Sequence, residues 1–290
     1  MKTGFVALVG RPNTGKSTLL NQILNKKIAI VSSKAQTTRK NILGIYRDEE
    51  AEITFIDTPG IHRPAHKLGK ALNRSAYYGA DDADLLLFMV DAIKSVSQRD
   101  KMILERLKEK EIPTFLLINK IDKLNNKEIF DKINYYKEIY DFAEIIPVSA
   151  LRNDNIDTLL KVIKLHLEEG EPVFDKEIIT TETEESIISE MIREKVLILT
   201  KEEVPHAAGI IVEKITKKKD LVTINALIIV DRETLKKIII GKNGQMIKEI
   251  GTRARKDIEE YLDNKVLLKL FVKVKPKWRD NDYNLKELGF

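Results

Sequence analysis

Residues 10–17 read Gly10-Arg11-Pro12-Asn13-Thr14-Gly15-Lys16-Ser17, two glycines five positions apart followed at once by a lysine and a hydroxyl. After an apolar strand and at the start of a helix, such a loop is a phosphate cradle. Backbone N–H groups and the helix N-terminus face the anion, Lys16 sets a point charge on the β and γ oxygens, and the Ser17 hydroxyl is placed to ligate Mg²⁺. Asp57-Thr58-Pro59-Gly60 follows the apolar run Ile53–Ile56. Its carboxylate can hold Mg²⁺ through water and its Gly60 N–H can sense a γ-phosphate, so Lys16 and Gly60 are the residues given a part in the chemistry. Asn119-Lys120-Ile121-Asp122 follows Phe115–Ile118. The Asp122 carboxylate can accept from both N1–H and the exocyclic amine of guanine, donors that adenine lacks there. A site built on such bonds rejects the analogue without them by roughly 10⁴–10⁵, which argues for GTP and GDP over the adenine nucleotides. Ser149-Ala150, after Ile145–Val148, is expected to offer a backbone N–H to the guanine oxygen.

Between the phosphate loop and Asp57 lies Gln36-Thr37-Thr38-Arg39, in a polar stretch with neither helical nor strand period. A switch threonine that reaches Mg²⁺ when a γ-phosphate is bound belongs there. Thr38 is preferred for that role and Thr37 stays open.

Positioning these loops requires strands that end at one edge. Short apolar runs at 5–9, 52–56, 85–90, 114–118 and 145–148 alternate with helical periods at 16–24, 98–109 and 156–167. This is an α/β pattern with a mostly parallel sheet, which binds ligands beyond the strand carboxyl ends. Residues 1–172 are expected to form a P-loop nucleotide-binding domain and 173–185, with Pro172 and an acidic, threonine-rich composition around it, a linker. An α+β domain follows over 186–275 and a tail over 276–290. The order expected in the α+β domain is helix, strand, strand, short helix, turn, helix, strand.

The turn in that second domain is Gly241-Lys242-Asn243-Gly244, set between Ile239-Ile240 and Gln245-Met246-Ile247. A lone GxxG suits any tight turn, but here αββααβ order and lysines surround it. The segment resembles a KH domain of the second topology, whose GxxG loop clamps about four single-stranded nucleotides. Lys237, Ile240, Lys242, Asn243, Lys248 and Arg253 with the two glycines are the expected RNA contacts. Lys275, Lys277 and Trp278 beyond the last strand would add an aromatic among cations on which a base can stack.

Charge is divided accordingly. Residues 1–205 hold 31 Lys+Arg against 33 Asp+Glu, whereas 206–279 hold 18 against 9, within a chain of 290 residues and net charge +5. A polyanion partner is expected there and no DNA. The absence of cysteine excludes disulfides, thiolate zinc sites and catalytic thiols, and the four histidines lack ligand spacing. The longest apolar run, 85–90, falls short of the roughly 18 residues of a membrane span, so a cytoplasmic location is expected.

The five loops in this order, the run Lys34-Ala-Gln-Thr-Thr-Arg39 and the C-terminal GxxG pattern together resemble the Era-like GTPases over nearly the whole chain. The resemblance implies a bacterial GTP-hydrolysing switch that binds the 3′ end of 16S rRNA and helps the small (30S) ribosomal subunit mature. It also implies a peripheral position at the inner face of the cell membrane. The alternative is a membrane-associated cell-cycle regulator whose RNA contact is incidental. In many GTPases a water-orienting glutamine follows the DxxG glycine; here Ile61 stands there and cannot hydrogen-bond water. Asn13 either holds K⁺ near the phosphates, as in related GTPases that use that ion, or serves only the turn. No general base or arginine finger is assigned.

Overall fold

The computed structural model describes residues 1–34, 37–62 and 66–288. In chain order its elements are β1 (Lys2–Val9), α1 (Lys16–Leu24), β2 (Ile42–Arg47), β3 (Ala51–Asp57), α2 (Lys67–Asp81), β4 (Leu85–Asp91), α3 (Gln98–Lys108), β5 (Thr114–Asn119), α4 (Asn126–Ile139), β6 (Glu144–Val148), α5 (Ile156–His166) and β7 (Glu168–Glu169). After these come α6 (Glu184–Leu199), α7 (Val204–Ala207), β8 (Gly209–Lys218), β9 (Leu221–Val230), α8 (Glu233–Ile240), α9 (Gln245–Leu262), β10 (Val266–Val274) and α10 (Asp282–Glu287). The chain divides into two compact units. The first comprises Met1–Ala29, Thr38–Arg63 and Leu72–Thr181, the second Ile30–Thr37, Pro64–Ala71 and Glu182–Phe290.

In the first unit the strand order is β2-β3-β1-β4-β5-β6, with β7 pairing β1 near its start. All pairs are parallel except β2 on β3 and β7 on β1. β4 is buried at every position, as the unbroken apolar run Leu85–Val90 demands of a central strand covered on both faces. One face packs on Leu19, Leu20, Leu159 and Ile163, the other on Ala76, Ala80, Ile103 and Leu107. Alternating wide cores on both sides fix the strands, and all the motif loops then emerge at the carboxyl edge.

The strands expected from sequence are present, and β2, β7, α2, α4, α7 and α10 are added to the expected elements. The acidic stretch read as a linker does not hang free over 173–181. The Arg47 guanidinium donates to the Phe174, Lys176 and Ile178 carbonyls at 2.9, 3.1 and 2.8 Å, and Glu52 accepts from the Val173 N–H at 2.7 Å. These bonds tie the segment along the edge of the first unit.

The second unit is a three-stranded sheet in the order β10-β9-β8, with β10 parallel and β8 antiparallel to β9. α6, α8 and α9 cover one face. Val222, Ile224, Ala226, Ile228 and Val230 point into that core beside Ile188, Ile192, Ile250, Ala254 and Ile258. The period of two in β9 and β10 sends the intervening residues to the opposite face. The tail expected beyond 275 is part of this unit: Trp278, Leu285 and Leu288 are buried, and the Leu288 and Trp278 side chains close over Gly209.

Candidate nucleotide and nucleic-acid sites

The phosphate loop joins β1 to α1. Gly15 has φ 106°, and a Cβ there would collide with the Asn119 amide, so both conformation and space demand glycine. The buried Lys16 ammonium donates to the Gly10 and Arg11 carbonyls at 3.4 and 3.1 Å. Burial lowers its pKa to about 8 against the opposing pull of Asp57. Arg11 leans outward, its Nε 2.8 Å from the Asp100 carboxylate. Asp100 belongs to the capping box of α3, accepting from the Ser97 N–H at 2.9 Å, so a helix cap also steadies the loop. Thr14 is buried, its hydroxyl returned to the Arg11 carbonyl at 3.1 Å. Asn13 has φ 64°, a turn conformation that asparagine tolerates.

Three oxygens converge beside Lys16. The Ser17 hydroxyl donates to Asp57 Oδ2 at 2.5 Å and lies 2.8 Å from the Thr38 hydroxyl, itself 3.4 Å from the same carboxylate oxygen. Asp57 is fully buried, and its Oδ1 is buried without a hydrogen-bond partner. Burial raises the Asp57 pKa, opposed first by the Lys16 charge and then by the two hydroxyls. An orphaned carboxylate oxygen with two hydroxyl oxygens at hand is a hard donor set that fits Mg²⁺. Thr37 is turned elsewhere, its hydroxyl donating to the Lys34 carbonyl at 2.7 Å. Thr38 is therefore the threonine at this cluster. Ala35 and Gln36 of the same run lie outside the described residues.

Of the Asp57-Thr58-Pro59-Gly60 loop, Thr58 contributes backbone only, because its buried hydroxyl donates to the Leu8 carbonyl at 2.6 Å. Pro59 and Gly60 are buried, with Gly60 against Pro12. Ile61 is buried in the core and its N–H donates to the Gly10 carbonyl at 3.2 Å. Its apolar side chain has no hydrogen bond to offer an attacking water.

The base-reading loops interlock. Asn119 Nδ2 donates to the Thr14 carbonyl at 2.7 Å while its Oδ1 accepts from the Ala150 N–H at 3.0 Å. One buried amide thus ties the phosphate loop to the last loop of the site. The Ala150 N–H, expected to face the guanine oxygen, is held by Asn119 here. Asp122 Oδ1 accepts from the Ser149 hydroxyl at 2.7 Å, which together with Lys123 and Arg152 keeps its pKa below the usual carboxylate range. Asp122 is thus an anionic acceptor, as reading two donors of guanine requires. Ile121 packs partly buried on the core. Lys120 sits at φ 73°, a conformation unfavourable to a lysine, and spends its ammonium on the Asn13 carbonyl at 3.0 Å and on Asp91 at 2.7 Å. Asp91 and Asp100 were not singled out from sequence. Asp91 ends its strand just as Asp57 and Asn119 end theirs, and that common position was the signal available.

In the second unit α8 ends at Gly241 (φ 74°, ψ 174°), and Asn243 and Gly244 follow with φ 51° and 75°. A Cβ on Gly241 would strike Met246, whereas one on Gly244 meets nothing within 4 Å. Gly241 shapes the loop and Gly244 leaves its outer side open. Lys237, Lys242, Asn243 and Lys248 are exposed around it, and Ile240 is half-buried at its base. Arg253 is exposed but paired with Glu249 at 2.7 Å. Lys277 is exposed and Lys275 half-buried, its N–H on the Val230 carbonyl at 2.9 Å. Trp278 corrects the sequence reading: it is fully buried and donates Nε1–H to the Ala207 carbonyl at 2.9 Å. The aromatic among cations is a core anchor of the tail, with no ring face to stack on a base.

A family model described as 50S ribosome-binding GTPase matches residues 5–120, and a KH domain model matches 203–279. Among solved structures, a single-residue variant of Aquifex aeolicus Era bound to GDP and AlF4⁻ is 42% identical, with a TM-score of 0.96, covering 100% of this chain and 99% of that one. A structure of Era in complex with MgGDPNP and nucleotides 1506–1542 of 16S ribosomal RNA is likewise 42% identical, with a TM-score of 0.97 and the same coverage.

Proposed function

The chain belongs to the Era family of GTPases, and from that premise we propose that it is a GTP-hydrolysing switch that binds the 3′ end of 16S rRNA and assists maturation of the small ribosomal subunit. The observation that carries this reading is the coexistence, in one chain, of the Ser17–Thr38–Asp57 oxygen cluster and an open-sided GxxG loop. Ser17 and Thr38 would hold Mg²⁺ directly and Asp57 through water. The ion would neutralise charge on the phosphate oxygens. Lys16 binds the phosphates from a buried position where its charge is least screened, and Asp122 with Ser149 selects guanine. Thr38 answers to the γ-phosphate, so that nucleotide state alters RNA affinity and RNA alters nucleotide affinity by the same factor. With Ile61 unable to orient water, either intrinsic turnover is slow or another group positions the nucleophile, and Asn13 is a candidate both for holding K⁺ near the phosphates and for serving only the turn.

No helix among the described residues is long and apolar enough to cross a membrane. The basic character of 206–279 is compatible with action in the cytoplasm and with a peripheral stay at the inner membrane face. Crosslinking RNA to the protein in cells and sequencing it tests the reading. Recovery concentrated on the 3′ end of 16S rRNA is expected; recovery spread evenly over cellular RNA would overturn it.

A further inference from the structure

We propose that the face of the second unit's sheet opposite its helices is a second surface for single-stranded RNA, reached by a strand that leaves the GxxG loop and passes over the edge of β10. The inference rests on the RNA-binding reading above and extends it to a part of the domain outside the clamp.

Residues of β10 divide between two faces. Leu268, Leu270, Val272 and Val274 pack half-buried toward α8 and α9, while Leu267, Lys269, Phe271 and Lys273 are all exposed on the other side. Phe271 is 57% and Leu267 45% exposed. An aromatic ring and a leucine held open on a regular strand, alternating with two lysines, cost solvation without serving the core. Parallel register sets Phe271 beside Leu227 and Lys269 beside Asn225, and the antiparallel pairing adds Lys214 next to Asn225. β9 and β10 carry no carboxylate, and the one in β8, Glu213, is exposed at the bulge between Val212 and Lys214. Apolar and aromatic ground with Lys269, Lys273 and Lys214 against a single carboxylate at the β8 bulge fits a chain that carries phosphates on one side and π-faces on the other. A protein partner of ordinary composition would use the apolar ground but leave the lysines unpaired.

Two further facts limit the surface and connect it. The tail closes only one end, where Leu288 and Trp278 cover Gly209 and its register partner Ile229 is fully buried. β10 is the sheet's edge strand, so a nucleotide chain beside α9 needs only to cross one strand to pass from the helix side to the outer face.

The test uses the full chain and two RNAs of 16S 3′-terminal sequence, about five nucleotides, enough to fill the clamp, and about fifteen. Phe271→Ala, and separately Lys269→Gln with Lys273→Gln, are expected to weaken the long strand about tenfold and leave the short one unchanged. The double glutamine variant should also flatten the salt dependence of log affinity by about 1.4, from about 0.7 for each lost phosphate contact. Phe271→Trp supplies a direct reading, since the chain's single native tryptophan is buried: the new indole should be quenched by the long strand and not by the short. Unchanged long-strand affinity with an unquenched indole would overturn the proposal, as would equal weakening of both RNAs. Self-association of the parent chain that Phe271→Ala abolishes, with RNA affinity unmoved, would hand the face to a second copy instead. Failure of the parent to bind either RNA would remove the RNA-binding reading itself, an outcome distinct from all of these.

Discussion

Two glycines three residues apart should fail in opposite ways when substituted. Gly244 has φ 75° and ψ 11°, the left-handed region, and a Cβ there enters open space. Its replacement by aspartate costs only the backbone term, about 1 kcal/mol, because Asp visits that region more readily than most residues. For a unit of roughly 100 residues this is a fall in Tm of about 4–8 °C. Gly241 has φ 74° and ψ 174°, a region essentially confined to glycine, and its Cβ would lie 2.6 Å from Met246 Cβ and 2.8 Å from Met246 N. Gly241→Ala therefore adds strain of about 1–3 kcal/mol to a clash with backbone that cannot yield, and should lower Tm by well over 10 °C. RNA binding reverses the order of interest. Gly244→Asp keeps the fold and sets a carboxylate where phosphates must approach, a like-charge contact of about 2–3 kcal/mol, or roughly 30–140-fold in affinity. Calorimetric melting of both variants, fluorescence anisotropy with 16S 3′-terminal RNA at fixed salt, and titration of GTP on the same preparations read all three quantities. GTP affinity should be unchanged in Gly244→Asp. A folded Gly244→Asp protein that binds this RNA as tightly as the parent would refute the assignment of the loop as a phosphate clamp.

Asp122→Asn should weaken GTP and favour xanthosine triphosphate, whose C2 carbonyl accepts from an amide; unaltered guanine preference in competition binding would end the base-reading role. Lys16 must be protonated to hold phosphate, and its pKa in the free protein is lowered to about 8. Above that value the folded, nucleotide-free protein has released a proton that the unfolded chain keeps up to its ordinary 10.5, so this residue makes the free protein more stable as pH rises through that window. Nucleotide affinity should fall as pH rises past 8, and a flat isothermal titration series from pH 7 to 9.5 would contradict the buried-charge argument. Turnover in K⁺ should exceed that in Na⁺, with Asn13→Ala removing the difference; equal phosphate-release rates in the two salts would leave Asn13 a turn residue.

The sheet and the nucleotide loops were legible because buried parallel strands must be written as short apolar runs, and loops at their ends carry side chains that only phosphate, metal and base explain. β2 was not: it is a six-residue edge strand carrying Gly44 and Arg47, with no unbroken apolar run. α4 buries only Tyr136 and leaves its polar residues outward, so its helical period was faint in sequence. The adjacent threonines 37 and 38 could be separated only by seeing which hydroxyl meets Asp57. Trp278 misled because a cationic neighbourhood says nothing about burial, and the aromatic ring proved more useful inside the second unit than on its surface. The opposite error was to pass over Phe271, whose place on an alternating strand hid it among residues that looked like core.

A switch of this kind requires that the nucleotide site and the RNA site be coupled in one chain. Its most direct test is the affinity of fluorescent 16S 3′-terminal RNA for the full protein, measured by anisotropy with Mg²⁺ and saturating GDPNP and then with GDP. RNA is expected to bind about 5- to 100-fold more tightly with GDPNP, and GDPNP to bind more tightly by the same factor, relative to GDP, when RNA is present. Equal RNA affinity in the two nucleotide states would contradict it.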